Sequence, residues 1–495
     1  MALLPPNHFL ALPRPDVFVG PPQGVVDTTT LAAHDFDVDT RTGFMPPDPP
    51  IARLPLPWEP WEQLLDEAQF RRLQLGSKID ITDEEKARSE SWRACVIQLP
   101  LLPTADLFQS ELLLRRAHHV LACNMHFYIH SLPPTAEIRI PPPIAVPLLD
   151  VCVQLQLPPV ITYSDVVLYN WALKVPSAEP TPALDNLRCL TLFTGMRDEE
   201  EFYLASARIE LRGVDALEIM RATMDELFIS DALAARRITR YLHSLVRVVD
   251  DLARLLLAVR DGCDPDVFYH EIRPWFNGAD SSSRKWTFDG LDAHPELALP
   301  TELSGPSAAQ SSLVHAMDVF LGVNHPADSA LSSSPTTPQT PSGSHVEPST
   351  SAPDAAHVQS EVPFLARMRA YMPRHHRNFL RHLGATPRPL RAAVARMGDV
   401  ALTEAYNAAV DALRRFRDVH LRIVALYIIS PSHRGLASAP AAQAEAVAKV
   451  CESQTNSGMG SSTSLLLGTG GTRLVKFLKG VRDRTSEAAF ESGGR

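Results

Sequence analysis

The sequence predicts an all-α protein with a large helical domain and a smaller, mostly helical N-terminal domain. Apolar residues recur three and four positions apart along most of the 495 residues, which is the spacing of one helix face. Few segments alternate apolar and polar residues, so we expect little β-structure. The composition, 45% hydrophobic and 21% charged, is typical of a globular protein with a sizeable core.

The N-terminal third divides into an arm, a small domain and a connector. Residues 1–35 are rich in proline and weakly periodic, which predicts an extended arm. Residues 36–140 carry helical patterns and form the predicted small domain. Within it, Thr82 and Glu85 have the spacing of a capping box, which marks the start of a helix. The proline-rich residues 141–162 are predicted to connect this domain to the rest of the chain.

Residues 163–495 form the predicted large helical domain. Its helical patterns cover residues 163–173, 199–225, 229–260, 265–277, 308–323, 361–382, 387–397, 400–430 and 472–486. Residues 326–360 contain almost no large apolar side chain, and such a segment buries too little surface to offset the entropy lost on ordering. We therefore expect a disordered insertion there, and a mobile loop over the Ser-, Ala- and Gly-rich residues 431–467.

Charge and cysteine content narrow the functional class. The net charge is −10 without a dense Lys/Arg block, which argues against nucleic-acid binding. The six cysteines are scattered, which argues against a disulfide framework or zinc ribbon and is typical of a reducing compartment. The N-terminus is a poor secretory signal, and no run of about 18 apolar residues could span a membrane. We expect a cytoplasmic protein that binds neither nucleic acid nor membrane.

The helical pattern at 400–430 presents a histidine on its apolar face. His420 follows Phe416 by four residues, so its imidazole is expected to point into the core. A packed core histidine is the ordinary interpretation. An imidazole presented from a rigid helix into an apolar cavity also suits the axial ligand of a haem iron. Arg417 could meet a buried acid or a haem propionate, and this helix alone leaves both interpretations open.

A second candidate site lies where an aromatic and a guanidinium are five residues apart. Phe268 and Arg273 would suit an aromatic amino acid, whose ring stacks on the phenyl group while its carboxylate pairs with the guanidinium. The alternative is core packing beside a surface ion pair. Small residues at 304–308 allow close approach of the backbone to a flat ligand, but they are equally typical of a capped helix start.

Two further motifs have weaker functional interpretations. GTGGT at 468–472 lacks the lysine and the spacing of a P-loop, which argues against nucleotide binding and leaves a mobile lid. Possible metal ligands recur on one helix face at His119, Cys123, His126 and His130. Because that helix is apolar nearly all round, we favour a packed core helix, and a structural role for His375 and His376 as well.

The order of these motifs resembles the indoleamine 2,3-dioxygenase family. RFRDVHLRIVALYI, which contains His420, is similar to the proximal haem helix of that family. Other segments resemble the family in the same order: FMPPDPPIARLP, PPPIAVPLLDVCVQLQLPPVITYSDVVLYNW, RDEEEFYLASARIE, VFYHEIRPWFNG, SGPSAAQSSLVHAMDVFLG, RAYMPRHHRNFL and GTGGTRLVKFLKGVR. The similarity covers nearly all of residues 44–486 apart from the two loose stretches.

The resemblance implies a large all-α domain that holds haem b, capped by the smaller domain, with His420 as the axial ligand of the iron. It implies that Arg273 pairs with the substrate carboxylate and that Phe268 lines the indole pocket. Further substrate-binding positions implied by the family pattern are Tyr163, Phe202, Ser206, Tyr269 and Thr469, the last in a loop that closes over substrate. The positions implied at the haem edge and beside the proximal helix are Ser307, Ala308, Asp318 and Arg417.

The implied reaction opens the indole ring of L-tryptophan with O2 and gives N-formylkynurenine, the first step of the kynurenine route towards NAD. The resemblance also implies a monomer and an electron donor that keeps the iron ferrous, and it demands no side chain as acid or base. The competing hypothesis is a haem protein of the same fold with little turnover that acts as a sensor or signalling partner. Departures from the vertebrate pattern at Tyr269 and Pro306 keep it open, and Asn277 and Arg473 also differ from that pattern. A helical scaffold without haem would make the order of motifs a coincidence.

Overall fold

The structure is a computed structural model that describes residues 36–176, 182–281, 284–324, 363–438 and 474–491. The described residues are mainly helical, and the all-α prediction is confirmed. The predictions for the arm, the insertion and residues 439–467 of the loop lie outside the described residues.

Four helices form the first part of the chain: α1 (Glu59–Phe70), α2 (Asp83–Gln98), α3 (Glu111–His130) and α4 (Pro142–Leu155). The predicted capping box at the start of α2 is confirmed, because Thr82 and Glu85 each accept a hydrogen bond from the backbone amide of the other. Nearly every side chain of α3 is buried, and this helix packs against α1 and α4.

The histidines of α3 bind protein oxygens of the following elements. The ring of His119 lies 3.0 Å from the Asp165 carbonyl and 2.8 Å from the Thr191 hydroxyl. The ring of His126 lies 2.8 Å from the Trp275 carbonyl. These bonds tie α3 to the later part of the chain, and the predicted packed core helix is confirmed.

The proline-rich connector contains a buried helix, α4, which the sequence prediction missed. Pro142 and Pro143 occupy its first two positions, where the missing amide would have no intrahelical partner in any case. Pro147 lies inside the helix and costs it one backbone hydrogen bond. The helix nevertheless forms because ten of its side chains are buried.

Ten helices of six or more described residues follow in the second part: α5 (Arg197–Arg212), α6 (Val214–Ile229), α7 (Ala234–Ala258), α8 (Ser312–Leu321), α9 (Phe364–Arg369), α10 (Arg374–Gly384), α11 (Leu390–Met397), α12 (Val400–Val424), α13 (Ser430–Ser438) and α14 (Leu474–Glu487). Both α7 and α12 have 25 residues and pack along each other. They form the scaffold on which α5, α6 and α14 lie.

Two predicted boundaries were wrong. The loop predicted from residue 431 begins later, because α12 continues through a π-helical turn, Ala425–Ile429, into α13. The helix predicted over 163–173 is a single π-helical turn, Ser164–Leu168. It ends early because the Trp171 indole donates a hydrogen bond to the Leu168 carbonyl at 3.1 Å.

The β-structure among the described residues is limited to two pairs of short strands. Strand β1 (Ile138–Ile140) is parallel to β4 (Trp286–Phe288), and β2 (Ala172–Leu173) is antiparallel to β3 (Leu187–Arg188). The first pair joins the end of α3 to the later part of the chain.

Buried apolar side chains form two clusters. One joins α1–α4 to the segment around Phe268 and to Tyr427, and the other lies among α6, α7, α8 and α10–α12. Because the first cluster crosses the predicted connector, the domain boundaries remain predictions. In the described part of the chain, the helices are too short or too polar to cross a membrane.

Candidate functional site

A cavity of about 280 Å³ lies between α5, α8, α12 and α14. It brings together ten of the side chains proposed from the sequence: Tyr163, Phe202, Ser206, Phe268, Arg273, Ser307, Ala308, Asp318, Arg417 and His420. The remaining walls are mostly apolar, and a concave apolar site with a few polar groups is the usual form of a small-molecule site.

Irregular helical turns shape the cavity. Three π-helical turns of the described residues contribute lining side chains: Ser164–Leu168, Phe268–Ile272 and Ala425–Ile429. Such turns insert one residue into the helical repeat, which redirects side chains, and they occur frequently at functional sites. Here the second and third turns place the rings of Phe268 and Tyr427 in edge-on contact, 5.6 Å apart.

His420 presents its imidazole to the cavity from α12. The helix is fixed at its start by Asp399, whose side chain accepts a hydrogen bond from the Leu402 amide at 2.8 Å. No hydrogen bond from any described residue reaches the His420 ring. Burial, assisted by the positive charge of Arg417, lowers the pKa of His420 to about 4, so the imidazole is neutral at neutral pH and its lone pair is available to a metal ion.

A buried ion pair holds this part of α12. Arg417 donates a hydrogen bond to Asp318 on α8 at 2.5 Å and another to the Thr485 hydroxyl on α14. The Arg417 and Asp318 side chains are 8% and 5% exposed. Of the two partners that the sequence left open for Arg417, the structure shows the buried acid, and the pair fixes three helices one turn from His420.

The opposite side of the site is aromatic and carries a cation. The rings of Phe202 and Phe268 lie 4.3 Å apart at 35°. The Pro265–Phe276 segment that carries Phe268 and Arg273 begins at Asp264, which accepts hydrogen bonds from two backbone amides in the manner of a helix N-cap. Burial lowers the pKa of Arg273, and an anionic ligand would favour the charged form of a guanidinium in such a setting.

A buried carboxyl group, absent from the sequence prediction, lies behind the cavity wall. Glu210 accepts hydrogen bonds from the hydroxyls of Tyr163 at 2.9 Å and Ser311 at 2.7 Å. Burial raises the pKa of Glu210 to about 7. The sequence feature that could have drawn attention to Glu210 is its spacing. Phe202, Ser206 and Glu210 follow one another at intervals of four and therefore share one face of α5.

Comparison with known proteins assigns the family. A sequence model described as indoleamine 2,3-dioxygenase matches residues 32–488. The indoleamine 2,3-dioxygenase of Saccharomyces cerevisiae is 33% identical over 388 residues, which cover 76% of this chain and 78% of that protein. The chain belongs to the indoleamine 2,3-dioxygenase family. The predicted family and its oxidoreductase class are therefore confirmed.

Other relatives of this indoleamine 2,3-dioxygenase-family chain match over nearly its whole length. Indoleamine 2,3-dioxygenase 1 of Mus musculus is 29% identical over 457 residues, or 92% of this chain and 95% of that protein. A 6-hydroxytryptophan 2,3-dioxygenase of Fusarium equiseti is 29% identical over 467 residues, or 93% and 98%. The second relative shows that the family includes an enzyme named for a ring-substituted substrate.

The residues present fit the haem that the family implies. The His420 imidazole is neutral and faces an apolar cavity from a rigid helix, which is what an axial haem ligand requires. Ser307 and Ala308 line the same cavity from a turn that the Ser307 side chain caps at the Ala309 amide. The site-residue roles themselves remain predictions.

Two glycines bring the substrate segment and this turn together in the indoleamine 2,3-dioxygenase-family fold. A Cβ atom on Gly278 would lie 2.0 Å from the Leu303 carbonyl oxygen, and one on Gly305 would lie 1.9 Å from the Phe276 carbonyl oxygen. The backbones of the two segments therefore touch, which only glycine permits at these positions.

Two of the substrate positions implied by the family are not placed on the cavity. Tyr269 does not line it; its ring lies beside Arg273 instead, 5.6 Å from the guanidinium carbon. Tyr269 follows Phe268 on the same π turn, and its ring leaves that turn in a different direction. That Tyr269 contacts substrate stays a prediction. Thr469 lies outside the described residues.

Proposed function

We propose that this protein is a haem-dependent dioxygenase that opens the indole C2–C3 bond of L-tryptophan with O2 and gives N-formylkynurenine. The observation that carries the proposal is the neutral His420 imidazole on the wall of an apolar cavity that also contains Arg273 and an aromatic wall. Family membership supports the same reaction class. Haem, when bound, supplies the activation of O2.

His420 would hold the haem iron, while Ser307 and Ala308 would lie against the edge of the ring. The buried pair of Arg417 and Asp318 keeps the α12 turn that carries His420 in place. A rigid support of this kind fixes the orientation of an axial ligand, which is one of the means by which a protein tunes haem.

Arg273 would bind the tryptophan carboxylate through charge-assisted hydrogen bonds, and Phe202 and Phe268 would hold the indole ring. The protein thus orients the substrate and excludes water, and orientation of this kind can supply about 7–11 kcal/mol of a barrier. We assign no acid–base step, because the nearby carboxyl groups of Asp318 and Glu210 are engaged by other side chains.

The wider biological context remains predicted. It comprises the kynurenine route towards NAD, an electron donor that keeps the iron ferrous, a monomeric state and a cytoplasmic location. The relative named for 6-hydroxytryptophan makes ring-substituted tryptophans natural competitors in any substrate test.

The test is to load the protein with haem, reduce it without air, and then add L-tryptophan and O2 while following the spectrum for N-formylkynurenine. His420→Ala should lose the axial ligand and the product. His433→Ala is the matched control, because His433 is exposed on α13, which continues the same helix beyond its π turn. A normal haem spectrum without product would favour the low-turnover haem protein, and failure to bind haem would refute the proposal.

A further inference from the structure

A hydroxyl–carboxyl cluster forms part of the cavity wall, and its buried carboxyl group has no role in the function proposed so far. It consists of Tyr163, Ser206, Glu210 and Ser311, which we call the Glu210 cluster. Both hydroxyl bonds to Glu210 reach the same oxygen, Oε1. Ser206 lies one turn before Glu210 on the same face of α5. Burial raises the pKa of Tyr163, and the Ser206 hydroxyl acts in the opposite direction. Tyr163, Ser206 and Ser311 line the cavity.

The Glu210 carboxyl group is deeply buried and has fewer hydrogen-bond partners than such a group usually has. Its residue is 1% exposed, and its second oxygen, Oε2, has no hydrogen-bond partner among the described residues. A buried carboxylate without a cation or a full set of donors is unfavourable. Glu199, equally buried on the same helix, shows the contrast, because both of its oxygens accept hydrogen bonds.

No charged group of the described elements packed around Glu210 is bonded to it. The polar and charged side chains of those elements are paired elsewhere: Asp165 with His118, Asp318 with Arg417, Arg212 with Asp251, Arg41 with Asp39, and His315 with the Ala309 carbonyl. The protonation of Glu210 is therefore governed by its burial and by the Tyr163 and Ser311 hydroxyls.

We propose that Glu210 is a positioning residue that sets the hydrogen-bond direction of the Tyr163 hydroxyl on the cavity wall. As a carboxylate, Glu210 accepts a hydrogen bond from the Tyr163 hydroxyl, so the phenol oxygen acts only as an acceptor towards a ligand in the cavity. The inference rests on the proposed function, because the cavity concerned is the one assigned to haem and tryptophan.

Protonation of Glu210 reverses this hydrogen bond. The carboxylic acid, with its one added proton, donates a hydrogen bond to the phenol oxygen, and the Tyr163 hydroxyl turns into the cavity that its side chain lines. No covalent bond changes except the new O–H bond of Glu210. A ligand in the cavity therefore meets a phenol acceptor when Glu210 is ionised and a phenol donor when it is protonated. Because burial raises the pKa of Glu210 to about 7, both states are populated near neutral pH.

The experiment uses carbon monoxide bound to the ferrous haem-loaded protein, because the C–O stretching frequency responds to hydrogen-bond donors nearby. We expect the band of the unaltered protein to shift with pH around a midpoint near 7. Glu210→Gln and Tyr163→Phe should remove this pH dependence. Tyr169→Phe is the matched control, since the Tyr169 hydroxyl also faces a carboxylate, Asp37, at 3.4 Å but outside this cavity. An unchanged pH-dependent shift in Glu210→Gln would overturn the proposal.

A second readout separates this inference from the proposed function. In the haem-free protein, the infrared carbonyl band of a buried carboxylic acid should grow as pH falls through about 7 and should be missing in Glu210→Gln. If haem does not bind but this band titrates, the dioxygenase proposal fails while the Glu210 cluster stands. If haem binds and no such band titrates, the inference about Glu210 fails while the dioxygenase proposal stands. If Glu210→Gln does not fold, Tyr163→Phe decides by the carbon monoxide measurement.

Discussion

Removal of the Asp318 carboxylate tests whether the buried ion pair stabilises the proximal side of the cavity. Asp318→Ala leaves the Arg417 guanidinium, 8% exposed, with the Thr485 hydroxyl as its remaining bonded partner in the described chain. A buried charge that loses its partner typically costs about 3–5 kcal/mol. We therefore expect the free energy of unfolding to fall by an amount of that order, and haem affinity to fall with it, because Arg417 lies one turn from His420.

The matched control is Asp411→Ala on the same helix. Asp411 pairs with Arg415 at 2.5 Å, but the two side chains are 45% and 41% exposed, and exposed pairs contribute about 0–1 kcal/mol. Both variants would be unfolded in urea without haem and titrated with haem afterwards. If both variants lost an equal and small part of the free energy of unfolding, burial would not strengthen the ion pair between Asp318 and Arg417. That result would refute the reasoning.

Three further predictions concern the substrate, pH and packing. Arg273→Lys should lower kcat/KM for L-tryptophan about tenfold or more, since a charge-assisted hydrogen bond contributes about 1.5–3 kcal/mol; an unchanged kcat/KM in steady-state assays would contradict the role. Burial raises the pKa of Glu210 from 4.5 to about 7, so the folded state binds a proton that the unfolded state has released, and its stability falls as pH rises across that window. Glu210→Gln should flatten this fall, by up to about 3 kcal/mol, in unfolding curves measured across the window; parallel curves for the two proteins would contradict it. Gly305→Ala should destabilise the fold or abolish soluble expression, because its Cβ would lie 1.9 Å from the Phe276 carbonyl oxygen. Gly480→Ala, in an open helical position, should do neither. Equal thermal stability of the two variants would contradict this prediction.

The sequence predicted those parts of the fold whose determinants are local. The capping box at Thr82 involves two residues three positions apart, and both bonds form. His420 could be placed on an apolar helix face by counting residues. By contrast, α4 was missed because its prolines usually interrupt helices, and here they occupy the first helical positions and a buried interior one. That outcome depends on tertiary burial, which a local pattern does not contain.

The candidate site was harder to predict where a role depends on direction or on distant partners. Tyr269 is adjacent to Phe268 in sequence, yet Phe268 lines the cavity and the Tyr269 ring lies beside Arg273. Glu210 shares one face of α5 with Phe202 and Ser206, but this spacing does not show that the face is buried at Glu210. The approach of Tyr163 and Ser311 from other segments shows it.

Departures from regular local structure coincide with the cavity. Three π-helical turns, a buried guanidinium at Arg273 and the under-satisfied Glu210 all border it, although each is unfavourable by itself. The histidines of α3 show the opposite condition, because their rings are satisfied by backbone and hydroxyl oxygens. Proteins tend to retain locally unfavourable features at functional sites. This contrast, independent of any relative, favours the His420 cavity over the histidine-rich helix as the candidate site.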